Sequence, residues 1–280
     1  MPTPAHHIRR YGGYILRGAI ASVRLLPPRI GVMVAEAVQG MHIRVPIDDH
    51  RTAIIVTPNA LCAWRARTLH TKEPETIRWM NTFRDGDVFW DVGANIGLYS
   101  LYAGIRGARV RAFEPDALNY ALLNRNIAAN QLDHRIAAYA VAVHDRDCVQ
   151  QLHIQHHQWG GALSAFSEPR TYDGASFTPV FRQGAFGYTL DTLVAQLEEV
   201  PQHIKVDVDG NEAQVLQGAT RTLRESSVRS LLIELDETRP DYQACLDRIV
   251  SYGFALTEKT HASMFDTGVF ARTFNHVFVR

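Results

Sequence analysis

Residues 89–97, FWDVGANIG, decide the fold that this sequence predicts. The apolar run Val88–Asp91 predicts a short buried strand, the glycines that follow predict a tight turn, and a helix is expected over Ile96–Ala103. In an open α/β sheet, ligands bind beyond the carboxyl ends of the strands. The segment therefore predicts a ligand site at the end of a buried strand.

Strand and helix patterns alternate along the rest of the chain. Further strands are expected over Val110–Phe113, Ile136–Val143, Ile204–Val208 and Leu231–Leu235, with a strand pair over 254–257 and 276–279; helices are expected over Asp116–Asn130, Glu212–Arg224 and Tyr242–Ser251. This order predicts an α/β fold, a doubly wound, mostly parallel sheet with helices on both faces. The pattern places the main domain at residues 74–280, with an insertion of loops and short strands at about 144–188, after an extension over 1–73 that is expected to form a helical cap.

Two carboxylates are expected at neighbouring strand ends. Asp91 leads the glycine turn, and Glu114 ends the next strand. A dinucleotide site requires G-x-G-x-x-G, but Asp91 occupies the first glycine position. An acid there repels phosphate and suits a cationic ligand, which favours S-adenosylmethionine over NAD, while Glu114 is expected to accept hydrogen bonds from ribose hydroxyls. Ala142, at the third strand end, is expected beside the adenine, and plain packing is the alternative.

The fourth strand carries charges inside an apolar pattern. Residues 204–210, IKVDVDG, place Lys205, Asp207 and Asp209 on one face. A central strand is buried on both faces, where a charge is costly unless it is paired. We therefore predict a Lys205–Asp207 pair at the ligand edge, with a purely structural ion pair as the alternative. Glu234 lies in the next strand and is interpreted either as a substrate contact or as a partner of an arginine.

Four of these stretches together resemble the FkbM-type methyltransferase family, within the class I S-adenosylmethionine-dependent methyltransferases. They are VFWDVGANIGLYS from residue 88, VRAFEPDALNYALLNRNIAAN from residue 110, YTLD from residue 188 and HIKVDVDGNEAQVLQGA from residue 203. The resemblance implies a seven-stranded sheet and O-methylation of a sugar, glycolipid or natural-product hydroxyl. It also implies two sets of site residues: Asp91, Gly93, Asn95, Gly97 and Glu114 for the cofactor, and Lys205, Asp207 and Glu212 in the charged fourth-strand motif. Asp209 stands where the family usually has Glu.

The expected reaction is an in-line displacement at the sulfonium methyl group by a hydroxyl oxygen. The protein has to align that oxygen and remove its proton. Asp207 is the first candidate for the general base, and His144 is the second because imidazole titrates near neutral pH. Trp159 is a candidate platform for a sugar ring, with a packed tryptophan as the alternative. His153, His156 and His157 have no carboxylate nearby in sequence, so no metal is predicted.

Composition excludes several other classes. The 280 residues carry 29 basic and 29 acidic side chains, so a non-specific nucleic-acid binder is not expected. A nucleic-acid base methyltransferase would need an Asn/Asp-Pro-Pro-aromatic motif, which is absent from the sequence. Two alternatives stay open: an NAD-dependent oxidoreductase, and a methyltransferase-like binding module without activity.

Cysteine usage and the first 70 residues bear on location. Three widely spaced cysteines, Cys62, Cys148 and Cys245, favour a reducing compartment, so a cytoplasmic protein is predicted. Residues 1–70 hold nine arginines against three acids, a net charge of +6, and Arg10 and Arg24 belong to a seven-residue arginine repeat. A basic amphipathic helix in peripheral contact with a membrane is one interpretation; a helix packed on the main domain is the other. The sequence makes no prediction of oligomeric state.

Overall fold

The computed structural model describes residues 27–280. The chain divides into two compact units, residues 1–41 and residues 42–280. The first contains helix α1, Pro28–Gln39, which has proline in its first turn and ends at Gly40. The arginine repeat over residues 10–24 lies outside the described residues, so its helix stays a prediction. Within residues 27–280, no helix has both the length and the apolar character needed to cross a membrane.

The second unit is built on a seven-stranded sheet. Its strands are β3 (Val88–Val92), β4 (Arg109–Phe113), β5 (Ile136–Tyr139), β10 (His203–Val206), β11 (Ser230–Asp236), β12 (Ala255–Thr260) and β13 (Thr273–Val279). They are ordered β12-β13-β11-β10-β3-β4-β5. The five strands from β11 to β5 are parallel, and β13 and β12 are antiparallel to their neighbours. This confirms the mostly parallel, doubly wound sheet that the sequence predicts.

Helices cover both faces of the sheet. One core cluster joins it to α2 (Ala60–Arg67), α3 (Pro74–Met80), α4 (Leu98–Ile105) and α5 (Ala117–Ala129), and a second cluster joins it to α6 (Leu190–Leu197), α7 (Glu212–Gln217) and α8 (Tyr242–Ser251). Strand β3 shows why its sequence is continuously apolar. Phe89 packs in the first cluster and Trp90 in the second, because successive side chains of a strand point to opposite faces.

The N-terminal extension differs from its prediction. Strands β1 (His42–Pro46) and β2 (Thr52–Val56) form an antiparallel hairpin where helices alone were expected. The hairpin belongs to the second unit, since the backbone N–H of Val56 donates to Oδ1 of Asn126 on α5 over 2.8 Å. The hairpin thus lies within the compact unit of residues 42–280, and the division at residues 73 and 74 stays a prediction.

The predicted third strand is divided between two sheets. The main sheet keeps β5, whereas β6 (Ala142–Val143) joins a four-stranded sheet with β7 (Cys148–Ile154), β8 (Ala165–Phe166) and β9 (Phe181–Tyr188), in the order β6-β9-β7-β8. The chain turns after Tyr139, where the N–H of Val141 donates to the Tyr139 carbonyl. The insertion is thus a small sheet attached at the carboxyl edge of the large one.

Other differences are shifts at element ends. Strand β10 ends at Val206, two residues earlier than predicted, and α7 ends at Gln217, with a separate 3₁₀ turn at Thr222–Arg224. Asp116 caps α5, accepting hydrogen bonds from the N–H groups of Leu118 and Asn119.

Candidate active site

A cavity of about 440 Å³ lies at the carboxyl edge of the parallel strands. Each strand end contributes to its wall: Gly93 after β3, Glu114 after β4, Asp207 after β10, Glu234 in β11 and Asn275 in β13. Its volume falls in the range of small-molecule and cofactor sites. The place is the one that the sequence predicts from the glycine turn.

The glycine turn is tight enough to require glycine. Gly93 has a φ of +84°, and a Cβ atom there would lie 1.8 Å from the backbone oxygen of Asp207. Gly97 has a φ of +86°, and its Cβ would lie 2.3 Å from Cδ1 of Leu123. L side chains rarely adopt this backbone conformation. Gly93 therefore lets the ends of β3 and β10 meet, and Gly97, which is not part of the cavity wall, lets α4 pack on α5.

Asn95 and Glu114 connect the turn to the cavity. The backbone N–H of Asn95 donates to Glu114 Oε2 over 2.7 Å, and that of Asp116 donates to Oε1 over 2.8 Å. Burial raises the pKa of the Glu114 carboxyl to about 8. Each oxygen has a second lone pair, so the group can still accept hydrogen bonds from a diol in the cavity.

The wall next to Glu114 is apolar. Its members, Val141, Ala142, Val143, Leu152 and Phe166, come from the start of the small sheet and its neighbours. An apolar recess beside a diol-accepting carboxyl fits the adenine and ribose of a nucleoside. The structure thus places Gly93, Asn95, Glu114 and Ala142 together on the cavity wall.

Asp91 does not lie on that wall. It is 1% exposed, and its Oδ2 accepts a hydrogen bond of 2.6 Å from the Ser100 hydroxyl. In the sheet, Asp91 is in register with Lys205 of β10. Its carboxylate therefore faces a buried ammonium below the cavity, and the structure gives it a supporting position in place of the direct contact that the sequence predicts.

Lys205 and Asp207 form the ion pair that the sequence predicts. Lys205 Nζ lies 2.6 Å from Asp207 Oδ2, and the lysine side chain is 1% exposed. Burial alone would lower the pKa of Lys205, but Asp207, Glu73 and Asp91 raise it, so the ammonium stays charged. The pair survives burial because the charges compensate each other.

Asp209 is separated from this face because β10 ends at Val206. It has a φ of +55°, and its Oδ2 accepts from the N–H of Leu163 over 2.6 Å. Burial raises the pKa of this carboxyl to about 6. The expectation of three charges on one strand face is therefore correct for two of them.

A smaller cavity of about 50 Å³ adjoins the first and shares the wall at Gly93. Its charged lining residues are three cations, Arg65, Lys72 and Lys205, and two acids, Glu73 and Asp207. Burial alone would raise the pKa of Glu73, but Lys72 and Lys205 lower it to about 2. This mixture suits the ammonium and carboxylate of an amino acid. Sequence reasoning missed Lys72 and Glu73, although a charged run just before an apolar helix was visible at residues 72–75.

A second missed group lies at the β11 side of the large cavity. Glu234 is in register with Asn275, and Asn275 Nδ2 donates to Glu75 Oε1 over 2.8 Å. Glu75 Oε2 and Asn275 Oδ1 are buried and have no hydrogen-bond partner among residues 27–280. Glu75 and Asn275 are 200 positions apart, and no local pattern brings them together.

One metal-competent set occurs within the described residues. Carboxylate oxygens of Glu73, Asp207 and Glu234 lie within 4.8 Å of one another. However, Glu73 is ion-paired with Lys72 and Asp207 with Lys205. Two ammonium groups therefore already supply the positive charge that a cation would bring.

Two further candidates lie away from the cavity wall. His144 is 4% exposed, its Nδ1 lies 2.7 Å from Asp145 Oδ1, and its ring contacts Phe166. Trp159 packs against the first core cluster. The geometry thus supports neither His144 as a base nor Trp159 as a sugar platform, because neighbouring side chains already occupy both rings.

Comparisons with known proteins agree on one family. A family model described as the methyltransferase FkbM domain matches residues 91–256. The chain is 33% identical over 134 residues to 31-O-demethyl-FK506 methyltransferase FkbM of Streptomyces tacrolimicus, covering 45% of this chain and 48% of the relative. It is 26% identical over 178 residues to hexuronic acid methyltransferase AglP of Haloferax volcanii, covering 61% and 65%. The chain thus spans about half to two thirds of these curated relatives.

Solved structures resemble the chain more distantly. Aeropyrum pernix fibrillarin, bound to S-adenosyl-L-methionine, has a TM-score of 0.43 at 11% identity and covers 70% of this chain and 67% of its own. Precorrin-6y C5,15-methyltransferase of Geobacter metallireducens has a TM-score of 0.45 at 11% identity, with coverages of 84% and 98%.

Proposed function

This chain belongs to the FkbM methyltransferase family, and we propose that it transfers a methyl group from S-adenosylmethionine to a hydroxyl oxygen of a sugar, glycolipid or natural-product acceptor. FkbM-type methyltransferases use S-adenosylmethionine, so the cofactor that the sequence predicts is confirmed. The observation that carries the proposal is one cavity whose wall includes the glycine turn and Glu114 as well as Asp207 and Glu234.

The cofactor-facing residues divide by chemistry. Glu114 would accept hydrogen bonds from the ribose hydroxyls, and the apolar recess around Ala142 would hold the adenine. Lys72 and Glu73, which line the smaller cavity, would hold the carboxylate and ammonium of the amino-acid end. When bound, the cofactor supplies a methyl group that is already activated by its sulfonium.

Asp207 is placed to receive the proton of the acceptor hydroxyl. It follows Val206, which is in register with Val92, so it lies beside Gly93. Lys205 holds Oδ2 of Asp207 through the 2.6 Å contact, which fixes the carboxylate and leaves Oδ1 for the hydroxyl. Lys205 is therefore a positioning residue in this proposal. General-base help of this kind typically accelerates a reaction by about 10²–10⁴-fold.

Alignment is the other contribution of the protein. The acceptor oxygen has to lie in line with the sulfonium–methyl bond, and the Gly93 turn borders that geometry, packed so closely on Asp207 that a Cβ atom would lie 1.8 Å from its backbone oxygen. Glu234, with a carboxylate oxygen within 4.8 Å of that of Asp207, is the substrate contact.

The test uses the full chain with methyl-labelled S-adenosylmethionine and a panel of sugars, glycolipids and polyketide alcohols. We expect the protein to release S-adenosylhomocysteine. The acceptor should carry a methyl ether that is stable to acid and base. Calorimetry with S-adenosylmethionine and NAD, run in parallel, should give saturable heat for the first alone. A protein that bound NAD and not S-adenosylmethionine would overturn the proposal.

A further inference from the structure

Among the polar side chains that line the large cavity without lining the smaller one are Glu75, Glu234 and Asn275, which we name the acceptor set. The acceptor set is distinct from the residues of the smaller cavity that suit the amino-acid end of the cofactor but borders them, because a carboxylate oxygen of Glu234 lies within 4.8 Å of those of Glu73 and Asp207. It is also separate from Glu114, which follows β4, whereas Glu234 and Asn275 belong to β11 and β13 on the other side of β3. The acceptor set therefore faces the part of the cavity that the cofactor leaves to a second molecule.

The acceptor set has more buried hydrogen-bond acceptors than donors. Glu75 is 1% exposed and Asn275 is 3% exposed. The two side chains share one hydrogen bond, which leaves Glu75 Oε2 and Asn275 Oδ1 without a donor in the part of the chain that the structure describes. A buried acceptor without a donor is destabilising, because it has lost its hydrogen bonds to water and gained none in the protein. A ligand that brings donors to this wall would recover that free energy.

The acceptor set itself contains two acids and no cation, although Arg65 and Lys72 line the same cavity. Glu73 is paired with Lys72, and Asp207 with Lys205. Glu75 and Glu234 have no cationic side chain within ion-pair distance among residues 27–280. Burial raises the pKa of both carboxyls, and for Glu234 the neighbouring Asp207 adds to the effect. Two carboxyls thus remain that a ligand ammonium would stabilise in ionised form, and that a ligand carboxylate would encounter as unfavourable neighbours.

We propose that Glu75, Glu234 and Asn275 form an acceptor-recognition site for a hydroxyl-rich molecule that donates hydrogen bonds, either an uncharged or an amine-bearing polyol, and that this site excludes acceptors carrying a carboxylate. The inference rests on the proposed methyl transfer and names its substrate class. It separates this chain from a methyltransferase whose acceptor is a hexuronic acid, the substrate in the name of the Haloferax volcanii relative.

The experiment compares matched acceptors that differ at one carbon. One set of three acceptors consists of the methyl glycosides of glucosamine (amine), glucose (neutral) and glucuronic acid (carboxylate). A second set consists of an aminocyclitol (amine), inositol (neutral) and quinic acid (carboxylate). Calorimetry with S-adenosylhomocysteine first establishes that the full chain binds its cofactor. Labelled methyl transfer then gives kcat/KM for each member, with Glu75→Gln and Glu234→Gln as the test variants. Glu225→Gln is the matched control, because Glu225 is an exposed glutamate that does not line the cavity.

We expect the amine or neutral member to exceed the carboxylate member by about tenfold or more in kcat/KM. Each test variant replaces a carboxylate oxygen with an N–H₂ donor, so the difference should shrink in Glu75→Gln and Glu234→Gln and persist in Glu225→Gln. Thermal unfolding confirms that each variant is folded, and Asn275→Asp, which adds a negative charge, should widen the difference.

Several outcomes would overturn the inference. Faster turnover of the carboxylate member, an unchanged preference in folded Glu75→Gln and Glu234→Gln, or a protein that binds S-adenosylhomocysteine but methylates none of the polyols would each do so. A strict requirement for added Mg²⁺ would also do so, since the wall would then recognise a cation in place of hydrogen-bond donors. Absence of cofactor binding would instead contradict the proposed function itself.

Discussion

The two sides of the cavity are built in different ways. The part of the cofactor side assigned to the ribose, Gly93 and Asn95 with Glu114, comes from two neighbouring strand ends and depends on backbone conformation. The acceptor side, Asp207 with the acceptor set, comes from four distant segments and depends on side-chain charge. Backbone geometry tolerates little substitution, whereas a charged wall can change one side chain at a time. The difference suggests that one side serves a constant ligand and the other a ligand that varies within the family.

The largest effect is expected from Gly93→Ala. The new Cβ would lie 1.8 Å from the backbone oxygen of Asp207, at a φ of +84°. Such a clash displaces the β10 end, so both sides of the cavity should be lost together. Calorimetry with S-adenosylmethionine should show no saturable binding, and urea unfolding should show a free energy of unfolding lower by at least about 1–3 kcal/mol.

Gly174→Ala is the matched control for the backbone effect. Gly174 has a φ of +89°, but no atom lies within 4 Å of the position that its Cβ would take. This variant carries the same conformational strain without the clash, so its cofactor affinity should equal that of the wild type. Equal losses in both variants would attribute the effect to strain and remove the close contact from the explanation.

Asp207→Asn should separate the two sides. The amide preserves shape but cannot take a proton, so kcat should fall by about 10²–10⁴-fold. S-adenosylmethionine should still bind, with an affinity within about tenfold of the wild type. Single-turnover methyl transfer and calorimetry measure the two quantities. Asp133→Asn, at an exposed aspartate, is the control. Near-full turnover of Asp207→Asn would remove Asp207 from the mechanism.

Glu114→Gln should weaken cofactor binding without altering chemistry once the cofactor is bound. Hydrogen bonds to a charged group contribute about 1.5–3 kcal/mol, which corresponds to roughly 10- to 100-fold in affinity. Calorimetry measures the affinity, and kcat at saturating S-adenosylmethionine should stay within a few-fold. A loss of kcat with unchanged affinity would contradict the assignment of Glu114 to the ribose.

The same carboxyl predicts a pH dependence. Burial raises its pKa to about 8 in the unliganded protein, and ribose hydroxyls donate better to the ionised form. Cofactor binding therefore releases a proton, and affinity should rise as the pH increases through about 8, while Glu114→Gln should show no such rise.

The effect of the Glu114 carboxyl on folding stability changes with pH in the opposite direction. Between the ordinary pKa of glutamate in the unfolded chain and the pKa of about 8 in the folded protein, the folded state binds more protons than the unfolded state. The contribution of Glu114 to stability therefore decreases as the pH rises between these two values.

The sequence predicted the backbone side of this site better than the charged side. Residues 89–97 and the strand end at Glu114 are local patterns, so their elements and mutual position followed from sheet topology. The Lys205–Asp207 pair also followed, because the two charges are two positions apart and Asp207 directly follows β10. Glu75 and Asn275 could not be predicted, since their contact joins positions 200 apart and depends on how α3 packs on β13. The hairpin before α2 was missed for a related reason, because its partner is α5, about 70 residues later.

Asp91 provides the smallest expected effect on cofactor binding. The sequence gives Asp91 and Glu114 equal roles, but in the structure only Glu114 of the two lines the cavity. Asp91→Asn keeps an acceptor for the Ser100 hydroxyl and removes a charge next to Lys205. We therefore expect stability to fall by about 1–3 kcal/mol, measured by urea unfolding, while calorimetry gives a cofactor affinity within about threefold of the wild type. Should Asp91→Asn weaken cofactor binding as much as Glu114→Gln does, the buried carboxylate would act on the cofactor through Lys205 and the Gly93 turn, and the two acids would again form one binding unit.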